Sequence, residues 1–118
     1  MDKQFVPYNI AIVLKELGYD EPCVAYYVKK LTGAPLRFIW EEEITHTITN
    51  SDGHGIVAPL YQQVFDWFNK NYNLCGYPKH DVYEIYKDEE CIVEQYSLQS
   101  YTDSRILCIE HMIELLNK

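Results

Sequence analysis

Apolar residues at Ile10, Val13, Leu14 and Leu17 recur with the period of a helix that buries one face. Val6-Pro7-Tyr8 opens that run, with proline near the first turn, where a missing N–H costs nothing. Gly18 is placed to end it with a left-handed residue. After the turn Tyr19-Asp20-Glu21-Pro22, the continuous run Cys23–Val28 reads as a buried strand. A second turn, Lys29-Lys30 with Thr32-Gly33-Ala34-Pro35, leads to a strand over Leu36–Trp40. Ile44, His46 and Ile48 then alternate with three threonines, the pattern of a half-exposed strand at a sheet edge.

Asn50–Gly55 is a polar loop, and Pro59 starts a central helix that runs to about Tyr72. Leu60, Tyr61, Val64, Phe65, Phe68 and Tyr72 form its apolar stripe, and Trp67 widens that face at its edge. Gly76-Tyr77-Pro78 breaks the chain again. Val82–Tyr86 and Cys91–Tyr96 bracket Lys87-Asp88-Glu89-Glu90 as a hairpin. Thr102 caps a last helix, with Ile106, Ile109, Ile113 and Leu116 at heptad-like spacing. The order is α-β-β-(β)-α-β-β-α. Short turns between strands imply an antiparallel sheet of four or five strands, with three helices on its apolar face, in an α+β domain.

The 118 residues suit one domain, 1–118. A hydrophobic share of 47% with 14% aromatics argues against disorder. No apolar run approaches the roughly 18 residues that span a bilayer, and Met1-Asp2-Lys3-Gln4 lacks a secretory layout; a cytoplasmic location is expected. Cys23, Cys91 and Cys108 lie in apolar runs and read as small buried hydrophobes, reduced rather than paired. A net charge of −8, with two arginines among ten cations, makes direct nucleic-acid binding unfavourable and a basic protein partner favourable.

Three blocks, "FVPYNIAIVLKELGYDEPC", "APLYQQVFDWFNKNYNLCG" and "YTDSRILCIEHMIELLNK", resemble a family of small uncharacterised proteins from phages and prophages of gut Bacteroidales. Its members carry an FVxY start, an ELGxxEPC stretch, an APxxxQxFxWF helix and a C-terminal helix after a tyrosine. The blocks cover about half the chain, while "LRFIWEEEITHTITNSDGHG" departs from the pattern. The resemblance implies a phage accessory protein in the cytoplasm of a bacterial host and brings no active site with it.

Candidate chemistry is sparse. Cys108 and His111 share a helical face, but zinc needs four ligands and no second pair has matching spacing, so no metal or other cofactor is expected. Cys75 with His80 is a conceivable nucleophile pair that nothing in the spacing demands. Glu41-Glu42-Glu43 and Asp88-Glu89-Glu90 read as solvated charge that guards sheet edges, or as a negative face for a basic protein groove. The loop Ser51-Asp52-Gly53-His54-Gly55, ahead of a helix N-terminus, can present free N–H groups to a phosphate or carboxylate. Trp40, Tyr61 and Tyr26 are candidates to stack a base, with Arg37 and Lys30 to neutralise its phosphate and His54 in the loop itself.

These signs point to a non-catalytic binding protein rather than an enzyme. The first expectation is a homo-oligomeric sponge for a nucleotide-type immune signal, an anti-defence role with Trp40, Arg37, His54, Tyr61, Tyr26 and Lys30 as ligand-binding residues. The alternative is an acidic, tyrosine-rich inhibitor of a host defence effector or nucleic-acid-binding protein.

Overall fold

The computed structural model describes residues 4–28, 36–42, 46–53, 55–96 and 101–117. The chain divides into two compact units, Met1–Leu60 and Tyr61–Lys118. Both are built from helices and an antiparallel sheet, so the fold is α+β. Where a single sheet of four or five strands was expected, there are two sheets of three. Strand-to-strand pairing is a long-range choice that turn and period signals do not encode.

In the first unit, helix α1 (Tyr8–Glu16) starts after Pro7, whose extended backbone forms the N-cap; Ile10 and Ala11 N–H both donate to the Pro7 carbonyl. Ile10, Ala11 and Leu14 form its buried stripe. Its end matches a Schellman motif: Gly18 at φ 96° donates to Lys15 O and Tyr19 to Leu14 O, and both Leu14 and Tyr19 are buried. Strand β1 (Ala25–Tyr27) lies between β2 (Leu36–Phe38) and β3 (Ile56–Val57). All three β1 residues are buried, which explains its unbroken apolar run.

The expected strand over Ile44–Thr49 is not formed at its described residues. Residues 43–45 lie outside the description, and Ile48 makes one isolated bridge with Cys23, N–H to carbonyl in both directions. Directly afterwards Thr49 and Asp52 build a reciprocal capping box on a 3-10 turn, Asn50–Asp52, so the chain bends where the alternation would continue. Asn50 ties this turn down: its side-chain amide donates to Tyr19 O and its oxygen accepts from Val57 N.

The Asp20 carboxylate accepts from both the backbone N–H and the hydroxyl of Ser51, and those bonds hold its pKa below the ordinary carboxylate value. A lowered folded pKa means that the unfolded chain binds more protons on acidification. The stabilisation is therefore present above the ordinary aspartate range and is lost as pH falls through it. Between about pH 6 and about pH 3, the urea midpoint should drop further in the native protein than in Asp20→Asn. Parallel pH profiles would show that the Asp20–Ser51 contact contributes nothing.

In the second unit, α2 (Tyr61–Tyr72) begins two residues later than expected. Pro59 and Leu60 are occupied otherwise, since Pro59 O accepts from Val6 N and Leu60 bridges Phe5. Val64, Phe65 and Phe68 are buried as the stripe predicts, and so is Trp67, whereas Leu60 is exposed. Asn73, at φ 57°, donates its N–H to Asn69 O and closes the helix.

Strands β4 (Leu74–Pro78), β5 (Val82–Lys87) and β6 (Glu90–Tyr96) follow in sheet order. Gly76-Tyr77-Pro78 is therefore strand and not a break. Gly76 is there for space: a Cβ would sit 2.9 Å from the Phe65 ring and 3.0 Å from Cys108 Sγ. Pro78 stands at the end of β4, an edge strand, where a missing N–H is tolerated. Helix α3 (Tyr101–Leu116) buries Ser104, Cys108, Ile109 and Met112; Ile106, Ile113 and Leu116 are only half-buried. The expected heptad face is thus rotated toward Cys108. Among the described residues, no helix is long and apolar enough to cross a membrane.

Candidate binding cleft

The second unit's sheet has two unlike faces because its register sets every side chain on one side or the other. Gly76, Ile85 and Val93 align, as do Pro78, Tyr83 and Gln95. This is the inner face, on which Leu74, Tyr83 and Ile85 are buried and Gly76 meets Phe65 and Cys108. The alternate rows, Cys75–Tyr86–Cys91 and Tyr77–Glu84–Glu94, look outward.

On the outward side lies a cleft of about 840 Å³, lined by Tyr77 and Tyr86, by Lys79 and Glu84, by Asn69, Asn73 and Cys75, and by Asp88 and Glu89 at the hairpin tip. The tyrosine rings meet edge to face at 5.5 Å, and Tyr77 is 51% exposed. Lys79 Nζ lies 2.8 Å from Glu84 Oε1. That hydrogen bond lowers the Glu84 pKa and raises that of Lys79, so both stay charged across the physiological range. The Tyr86 hydroxyl donates to Glu84 Oε2, and the carboxylate's charge pushes the phenol pKa up, keeping it a neutral donor. Asn73 donates to the Asp88 carboxylate, and Cys75 Sγ lies 3.2 Å from Asn69 Oδ1.

The hairpin tip is strained. Asp88 and Glu89 both have positive φ, 52° and 68°, as the primed two-residue turn requires. Glu89→Gly relieves that strain and should raise stability by about 0.5–1 kcal/mol in urea denaturation. A loss instead would mean that the Glu89 side chain makes a contact worth more than the strain.

Of the residues expected to form a nucleotide pocket, Trp40, Arg37 and Tyr26 belong to the first unit and Tyr61 to the second. Trp40, in the 3-10 turn Ile39–Glu42, is 53% exposed and stacks on Phe38 at 4.7 Å and 12°. Arg37 is the cross-strand partner of Tyr26, which is buried. Tyr61 is buried at the start of α2 in the second unit, with the Arg105 guanidinium 4.1 Å over its ring. His54 and Lys30 lie outside the described residues. The glycine loop does not run straight into α2, because β3 and Ala58-Pro59-Leu60 intervene. Its Ser51 N–H is held by Asp20, an acidic group where a phosphate was envisaged.

Among the described residues, no three His, Cys, Asp or Glu side chains gather as a metal site. His111 Nδ1 lies 2.9 Å from the Tyr83 hydroxyl, beside a buried Cys108 whose thiol is pushed up to about 12 by desolvation. Cys23 is likewise buried, its thiol raised to about 11. Cys91 departs from its expected burial: it is exposed on β6, since an apolar run on an outer strand has little to pack against. Cys75 lies on β4.

Sequence reasoning passed over Tyr77, Lys79, Glu84 and Tyr86. The signal was present in VYEIYK (82–87), where alternation puts Glu84 and Tyr86 on one face, but their partners stood on a segment that reads as a break. No family model, curated protein or solved structure matches the chain.

Proposed function

We propose that the chain is a binding protein, not a catalyst, that docks a basic protein partner on the outward face of the β4–β6 sheet. The observation that carries this reading is the make-up of the cleft. Two tyrosines and three carboxylates, Glu84, Asp88 and Glu89, stand there with one cation, Lys79, already engaged by Glu84. Such a lining suits a lysine or arginine side chain, through cation–π contact with the rings and charge-assisted hydrogen bonds to the carboxylates. An anionic ligand would meet repulsion there, in a chain of net charge −8. The phage resemblance supplies a setting: an anti-defence accessory protein acting in the host cytoplasm on an effector whose own surface is basic because it grips nucleic acid.

The test is a titration of basic, nucleic-acid-binding host effectors against the protein and its Tyr77→Ala and Glu84→Gln variants at two salt concentrations. At least one effector should bind, weaken with salt, and lose about tenfold or more in affinity with each variant. Equal binding by all three proteins, or none by any, would refute the reading.

A second reading is favoured by Trp40, whose indole is exposed next in space to Phe38 and three residues from Arg37. Here the protein, as an oligomer, sequesters a nucleotide-type signal without altering it. Filtration followed by heat denaturation should then return intact nucleotide, and Trp40→Ala should abolish its depletion. Recovery of a changed nucleotide would make the protein an enzyme instead.

A further inference from the structure

A sheet edge is a row of backbone donors and acceptors that awaits a partner. In the second unit β6 is such an edge: the sheet ends there, and no other strand pairs with it among the described residues. It is the longest strand, Glu90–Tyr96, and every residue on it is exposed except the half-buried Val93. The opposite edge, β4, is shorter and ends in a proline, which makes it the poorer template.

The make-up of β6 selects among occupants. The strand carries Glu90 and Glu94 and no cation, and Glu94 stands beside Glu84 on the outward face. A second copy laid against it would bring two more carboxylates into the same strip, four in all, if both hairpins contributed Glu84 and Glu94. Like charges across strands destabilise pairing. A cationic strand would turn the same groups into partners, while Ile92, 43% exposed, and Tyr96, 67% exposed, offer apolar contact. The ladder skips Ile92, since Tyr86 pairs with Cys91 and Ile85 with Val93, so the regular template runs from Val93 to Tyr96.

We propose that β6 is a strand-addition edge. An extended basic segment of the partner pairs along Val93–Tyr96 as a fourth strand, with its cations over Glu94 and Glu84. This rests on the basic-partner reading above and adds to it the backbone mode of recognition.

The test uses the whole chain and a short peptide of alternating lysine and valine, against the same peptide N-methylated at alternate residues. Methylation removes the pairing N–H groups and keeps the charge. The plain peptide should bind and slow amide exchange along Val93–Tyr96 by about tenfold or more. The methylated one should bind about tenfold more weakly, and the folded variant Glu94→Lys should lose the plain peptide. Equal binding of both peptides overturns strand addition and leaves a charge-based outward face intact. No binding of either overturns both readings. Slowed exchange along β6 that rises with protein concentration in the absence of peptide assigns the edge to a second copy.

Discussion

Gly55→Ala should be the most damaging small substitution in the first unit, lowering stability by about 3 kcal/mol or more. A Cβ at Gly55 would stand 2.3 Å from the Tyr27 carbonyl oxygen, 3.0 Å from the Tyr26 ring and 3.3 Å from the Tyr27 carbonyl carbon. The nearest of these is backbone of β1, and β1 is the middle strand, paired on one side with β2 and on the other with β3. It cannot retreat from Gly55 without disturbing a ladder, so the methyl group forces strands apart. Gly53→Ala is the internal control. Gly53 is left-handed at φ 81°, but a Cβ there meets nothing, and the cost should stay near the 1–2 kcal/mol of an L-residue in that conformation. The check is the urea midpoint of each variant. Equal losses would mean that the approach to Tyr27 relaxes at little cost, since Gly55 has no left-handed backbone of its own to account for a penalty.

Phe68→Ala should cost about 3–5 kcal/mol in the second unit. Phe68 is fully buried, edge-on to Trp67 at 5.2 Å and tilted against Tyr72 at 6.0 Å. Removing the ring strips two aromatic contacts and leaves a cavity where a fully buried side chain stood. Phe68→Leu keeps most of the volume and should lose about 1.5 kcal/mol or less. Leu60→Ala, at a residue 37% exposed, should stay within about 1 kcal/mol. Denaturant midpoints rank the three. If Phe68→Ala were no worse than Leu60→Ala, Phe68 would not be a core residue.

The helices were legible because their signals are local. Pro7 and Gly18 delimit α1, and the aromatic spacing of α2 names its buried face. The sheets were harder to read. Gly76 and Pro78 look like punctuation until Phe65 and Cys108 are seen to occupy the space a Cβ would need, which is a contact between residues far apart in sequence. Cys91-Ile92-Val93 looks like core by composition and lies on an edge, since hydrophobicity alone does not say which strand comes last in a sheet. Tyr19, Tyr26, Tyr27, Tyr61, Tyr83 and Trp67 are buried, and among the described residues the exposed rings are Trp40, Tyr77 and Tyr96. The candidate cleft depends on the register of β4 with β5, which no period in the sequence specifies.

Each unit holds one sealed sulfhydryl, Cys23 in the first and Cys108 in the second. Desolvation suppresses the thiolate that an alkylating reagent requires, so each becomes reactive only when its surroundings open. After the accessible Cys75 and Cys91 are blocked, the two remaining labelling rates are separate clocks for the breathing of either half, with no added probe.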